Sequence, residues 1–229
     1  MDLKSIKDRL RHVYWLGGSP CSGKSTIATL IGQQSGVEVI HVDEAVNTRF
    51  GPYEADRQPC MFRWTTQLAS GAGTWDDLWM RPVDALLAEV FECYAEQFDL
   101  LVSELISAPP RRAVLLEGNP LLPDRVVPLL SSSDHAMWLV ADESFQRRVY
   151  PNRGAWVQQI LSQCTDPDKA LQNWMDRDVA FAASVVNQVR RQNGKLLAVD
   201  GSSSLKENLR VVMDNFGFDL AQKGAYHER

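Results

Sequence analysis

Gly18-Ser19-Pro20-Cys21-Ser22-Gly23-Lys24-Ser25 follows an apolar run, Val13-Tyr14-Trp15-Leu16, and satisfies G-x-x-x-x-G-K-[ST] at every fixed position. Each fixed residue has a physical task. Gly18 and Gly23 let the backbone curl where a side chain would clash, so successive N–H groups converge on an anion. Lys24 supplies a flexible point charge for the β- and γ-phosphates of a nucleotide, and Ser25 a hydroxyl for Mg²⁺. A helix beginning near Lys24, with Ile27, Leu30 and Ile31 as apolar positions, turns its positive end toward the phosphates. An apolar strand before the pattern and a helix after it distinguish a phosphate cradle from a plain Gly/Ser turn. Ser19, Pro20, Cys21, Ser22 and the following Thr26 are candidate nucleotide contacts together with the fixed positions.

Working outward, four more short apolar runs occupy residues 37–42, 113–116, 136–140 and 195–199. With residues 13–16 they make five, each short enough to be a buried parallel strand. Their carboxyl ends meet Gly17, Asp43, Glu117, Asp142 and Asp200, the polar or flexible residues expected where an open α/β sheet holds its ligand. Helical segments separate the runs, so the crossovers are right-handed. The expected fold is α/β: one domain over residues 1–229, three layers, a five-stranded parallel sheet with helices on both faces.

The spacing of the runs is uneven. About seventy residues separate the second strand from the third, too many for a simple crossover. Residues 44–112 therefore form a helical insertion over the carboxyl end of the sheet, on the acceptor side. Within it, Val83, Leu86, Leu87, Val90, Phe91, Tyr94, Phe98, Leu101 and Leu105 keep helical spacing, with Pro82 in the first turn and Pro109-Pro110 as a stop. A shorter helix spans 59–69 and ends at Gly71-Ala72-Gly73. Residues 143–166 form a second, lid-like insertion. A long helix over 167–192 and a last one over 204–215, capped by Ser202, Ser203 or Ser204, complete the chain.

Asp43, at the end of the second strand, is the candidate base and acceptor ligand; the competing reading is a helix N-cap. Glu117 ends the third strand and fits a carboxylate behind Mg²⁺, a contact to substrate together with Gly118, or the base itself; the competing reading is an incidental strand-end carboxylate. Arg147, Arg148 and Arg153 in the lid could stabilise charge on a transferring phosphoryl group, or be ordinary solvated helix-end arginines. Arg49 and Arg57, with Arg63, Arg81, Trp64, Trp75, Trp79, Phe50 and Tyr53, could clamp an anionic or planar acceptor, although most such aromatics belong to a core. Asp200-Gly201-Ser202 could lie against a nucleotide base, or be a plain helix cap.

A formal charge of −5 argues against a nucleic-acid surface. No apolar stretch reaches the ~20 residues of a membrane helix. The charged N-terminus has no signal-peptide core, and Cys21, Cys60, Cys93 and Cys164 are scattered without a CxxC pair, so four reduced thiols and a cytoplasmic location are expected.

The loop Gly18–Ser25, Asp43, Glu117-Gly118, the lid arginines and Asp200-Gly201-Ser202 occur in an order that resembles the P-loop small-molecule kinases of the nucleoside/nucleotide and shikimate kinase-like group. Chloramphenicol phosphotransferase-like enzymes are similar in using an Asp after the second strand. The spacing of Asp43, Arg49 and Gly51 is similar to shikimate kinases, where the Asp binds the acceptor hydroxyl and the Arg its carboxylate. The chain departs from that family in having Glu117-Gly118-Asn119-Pro120 where shikimate kinases carry a glycine cluster. The resemblance implies an ATP- and Mg²⁺-dependent phosphotransferase for a small hydroxyl- or phosphate-bearing metabolite. A nucleoside monophosphate kinase, and an ATP-binding regulatory protein without transfer activity, are the alternatives.

Overall fold

All five apolar runs are strands: β1 (Val13–Gly18), β2 (Glu38–His41), β3 (Val114–Glu117), β4 (Ala136–Ala141) and β5 (Leu196–Val199). The computed structural model describes residues 1–49, 52–70, 73–109, 112–152 and 154–218. The strands are all parallel, in the order β2-β3-β1-β4-β5. Around them lie α1 (Leu3–Leu10), α2 (Lys24–Ser35), α3 (Val42–Arg49), α4 (Pro59–Ser70), α5 (Trp75–Trp79), α6 (Val83–Ser107), α7 (Pro123–Val126), α8 (Glu143–Val149), α9 (Ala155–Leu161), α10 (Pro167–Arg191) and α11 (Leu205–Phe216).

Successive strand residues point to opposite faces, and each face has its own helices. Trp15, Val114, Leu116, Trp138 and Val140 pack with Phe98 and Leu101 of α6 and with Phe181 and Val185 of α10. Leu16, Leu115, Met137 and Leu139 pack with Ile27 and Ile31 of α2 and with Leu209, Val212 and Met213 of α11. Because β3 and β4 are covered on both sides, every one of their residues is buried, which is why they read as unbroken apolar runs. None of the described helices is long and apolar enough to cross a membrane.

Two boundaries differ from the sequence reading, and one is narrowed. β2 stops at His41, and Val42 and Asp43 already lie in α3, so Asp43 is neither a strand end nor an N-cap. Pro82 is the N-cap of α6, with ψ 143°, because the helix opens only at Val83. Of the three candidate serines, Ser204 caps α11, in a reciprocal pair with Glu207.

The insertions pack into a third, smaller core. Trp79 and Leu86 from the first meet Tyr150, Val157 and Leu161 from the second, and Ala170 and Trp174 of α10. The packing of α4 on α6 also corrects the reading of four free thiols. Cys60 and Cys93 stand 5.2 Å apart at Cα and form a disulfide across 33 residues of sequence. Only the meeting of two helices makes that pair, so linear spacing carries no sign of it. Cys21 and Cys164 take no part in this disulfide.

Candidate functional site

The phosphate loop is stitched to the sheet before it turns. Ser19 donates its N–H to the Leu139 carbonyl at 3.0 Å, and its hydroxyl accepts the Ala141 N–H at 2.9 Å. Gly18 has φ 137°, and a Cβ there would lie 1.8 Å from the Leu139 carbonyl oxygen, so no other residue fits this approach. Gly23 takes the left-handed conformation at the N-cap of α2 and provides no side-chain cap. The first amides of this twelve-residue helix therefore have no capping side chain at Gly23, and such a helix start is a usual place for a phosphate. Cys21 is also left-handed, with φ 64°.

Register brings three strand ends into a row. Leu16 is level with Glu117, and Glu117 with His41. Glu117 is 3% exposed and gathers the loop's polar groups. It accepts the Ser25 hydroxyl at 3.0 Å and bonds His41 Nδ1 at 2.8 Å. Lys24 Nζ is 3.7 Å away and also donates to the Ser19 carbonyl at 3.2 Å. Burial pushes the Glu117 carboxyl up, but the His41 bond, the Lys24 charge and the Ser25 bond outweigh it and hold it below its ordinary value. The same His41–Glu117 bond raises the imidazole above its ordinary value, against its own partial burial. The donor set suits Mg²⁺: a hydroxyl beside an ionised carboxylate, all oxygen, with too few protein ligands to cage a metal without phosphates. Among the described residues there is no cluster of three or more His, Cys, Asp or Glu side chains able to hold an ion by themselves.

Beyond the loop opens a cavity of about 320 Å³. Pro20 of the Gly18–Ser25 loop and Asp43 of α3 both line it, so the loop and the candidate base share it. Its walls are tryptophans: Trp64, Trp75 and Trp79 from the first insertion, Trp156 from α9 and Trp174 from α10. Trp79 and Trp174 stack, with centroids 4.0 Å apart. Arg177 lies over the Trp79 ring and is bonded to its neighbour Asp178 at 2.8 Å. The Tyr150 hydroxyl donates to the other Asp178 oxygen at 2.9 Å. Tyr94, Gln97 and Asn119 complete the polar part of the lining, and burial raises the Tyr94 phenol above its ordinary range.

The arginines expected at the acceptor side are elsewhere. Arg49 pairs with Glu104 at 3.6 Å, and Arg57 with Glu54 at 3.4 Å; neither lines the cavity. Arg63 and Arg81 both grip Glu89. Arg147 is held by Glu143 at 2.9 Å and Asp176 at 2.6 Å, which ties α8 to α10. Arg148 donates to the Asp200 carbonyl at 3.4 Å and lies over Phe145, so it meets the loop of Gly201 and Ser202. Arg153, Phe50 and Gly51 lie outside the described residues. Gly118 keeps the chain close to Val42, whose Cβ would lie 2.8 Å from an added Cβ. Thr26 is exposed on the first turn of α2.

Sequence reasoning missed Tyr94, Asn119, Trp156, Trp174, Arg177 and Asp178. One signal was available. Arg177 and Asp178 fall on the same stripe of α10 as Trp174, Phe181 and Val185, and a charged pair on an apolar stripe has to be explained. Compared with known proteins, the chain matches no family model and no curated protein.

Proposed function

We propose that the protein is an ATP-dependent phosphotransferase that moves the γ-phosphoryl group to the hydroxyl of a small molecule held in the tryptophan-walled cavity. The observation that carries this reading is the shared lining. Pro20 of a complete phosphate loop and the carboxylate of Asp43 border one cavity, so donor and acceptor can meet there. In the reaction an acceptor oxygen forms a bond to phosphorus as the bond to the departing ADP oxygen breaks. The hydroxyl proton passes to Asp43.

Each residue has a role of its own. The loop amides and Lys24 hold the β- and γ-phosphates in line. Ser25 and Glu117 would hold Mg²⁺, which when bound neutralises charge on the phosphate oxygens. His41 and Lys24 keep Glu117 ionised and oriented. Arg148 and the Asp200-Gly201-Ser202 loop, which touch each other, flank the place of the base. Positioning and fixed charge then supply most of the rate. A monophosphate acceptor is less well served, since Arg49, Arg57, Arg63 and Arg81 are all engaged by carboxylates.

The test is a phosphoryl-transfer screen with ATP and Mg²⁺ over a panel of alcohols. Asp43→Asn should lower transfer about 10²–10⁴-fold with ATP affinity unchanged, and Lys24→Ala should weaken ATP itself. Folded variants that transfer as fast as the parent would refute the proposal.

A further inference from the structure

The cavity walls contain polar atoms with nothing to bond. The indole Nε1–H groups of Trp79 and Trp174 and the Oδ1 of Asn119 are buried without a hydrogen-bond partner. The three residues are 3%, 4% and 8% exposed, and all of them line the cavity. They come from three separate elements, α5, α10 and the turn after β3, and only the fold assembles them. Buried polar groups in folded proteins are nearly always satisfied, so three orphans around one cavity point to a missing ligand. Two of them need an acceptor, and one needs a donor.

Charge narrows the ligand further. Among the described lining residues Arg177 is the sole cation, and Asp178 already takes its charge at 2.7 Å. Asp43 adds a second carboxylate, so one guanidinium faces two acids. An anion entering here would have to displace Asp178 from Arg177 while lying near Asp43. The stacked pair of Trp79 and Trp174, with Trp156 tilted against Trp174 at 5.5 Å, instead offers ring surface to a flat apolar body.

We infer that the cavity selects an uncharged, flat, largely apolar alcohol with accepting oxygens for Trp79 and Trp174 and a donor for Asn119, and that it rejects carboxylate- and phosphate-bearing metabolites. That this molecule is the phosphoryl acceptor rests on the phosphotransferase reading of the same site. The selection itself depends only on the cavity.

Calorimetric titration of the full chain with two probes tests it. Hydroxymethylcoumarin is flat, neutral and oxygen-bearing; carboxymethylcoumarin keeps the ring and adds a carboxylate. The alcohol should bind at least tenfold tighter than the acid. Trp174→Phe and Trp79→Phe, which keep a ring and lose the N–H, should each weaken the alcohol about three- to tenfold, with ATP binding unchanged. Asn119→Ala should weaken it to a similar degree. Equal or tighter binding of the acid, no binding of the alcohol, or unchanged affinity in the Phe variants would overturn the inference. Separate titration with ATP and Mg²⁺ distinguishes the two readings. Alcohol binding without ATP binding strikes the phosphotransferase proposal and leaves the selection standing. ATP binding without alcohol binding strikes the selection alone.

Discussion

Glu117→Gln tests the centre of the site, because the substitution keeps the shape and removes one charge. In the parent the carboxylate is 3.7 Å from Lys24 Nζ, which corresponds to about 4 kcal/mol of attraction at an effective dielectric near 20. Removing one partner of a buried pair costs about 3–5 kcal/mol. The amide still accepts from Ser25 and can donate to His41, and Lys24 keeps the Ser19 carbonyl at 3.2 Å. Those retained bonds offset about 1–2 kcal/mol. The expected loss is therefore about 2–3 kcal/mol, or a Tm lower by roughly 4–12 °C for a domain of this size. Denaturant unfolding reads the first quantity and calorimetry the second. A further consequence is independent of stability. Without the carboxylate that raises it, the His41 imidazole should titrate nearer its ordinary value, visible by NMR. ATP affinity should fall in the presence of Mg²⁺ and hold or rise in its absence, since a negative charge has left the phosphate side. Unfolding within 0.5 kcal/mol of the parent (below the roughly 2 kcal/mol expected) together with an unshifted His41 would refute the assignment of Glu117 as the hub of this network.

His41 and His135, both partly buried, should respond to pH with opposite sign. The folded pKa of His41 is raised by Glu117, so its stabilisation is complete below the unfolded value near 6.5 and is lost as pH rises through the folded value. That of His135 is lowered by burial against Tyr14, so stability is lost as pH falls below about 6.5. Thermal melts from pH 5.5 to 8 should show His41→Asn losing acid-side stability and His135→Asn gaining it. Gly18→Ala should fail to fold or lose more than about 3 kcal/mol, because its Cβ meets the β4 backbone at 1.8 Å; a soluble variant of parental stability would contradict the loop geometry. Asp178→Ala should cost about 3–5 kcal/mol by leaving Arg177 uncompensated in a buried site, and the double change Arg177→Met, Asp178→Leu should recover most of it, as read by urea unfolding.

Much of the architecture is legible in the linear chain because the signals are local. A strand covered on both faces must be an unbroken apolar run, so β3 and β4 announce themselves. The loop Gly18–Ser25 is recognisable because Gly18 and Gly23 need conformations that few residues adopt. Glu117 and Asp43 stand out in the sequence for a related reason: polar residues beside the carboxyl ends of parallel strands fall where such a sheet leaves room for a ligand. The arginines failed as guides. A guanidinium looks the same in sequence whether it awaits a ligand or, like Arg147 between Glu143 and Asp176, is already held by carboxylates.

The chain by itself determined the five-stranded parallel α/β layout and the glycine-bounded turn of Gly18–Ser25, since periodicity and glycine placement are properties of neighbours. Tertiary structure alone decided that α4 and α6 join Cys60 to Cys93, that His41, Lys24 and Ser25 converge on Glu117, and that five tryptophans wall one cavity. The Trp64–Trp174 and Asn119–Arg177 separations are long, and contacts of that kind are set by how helices dock on the sheet rather than by any repeat along the chain. The loop Gly18–Ser25 is therefore written locally, and the tryptophan-lined cavity exists only once distant segments have folded together.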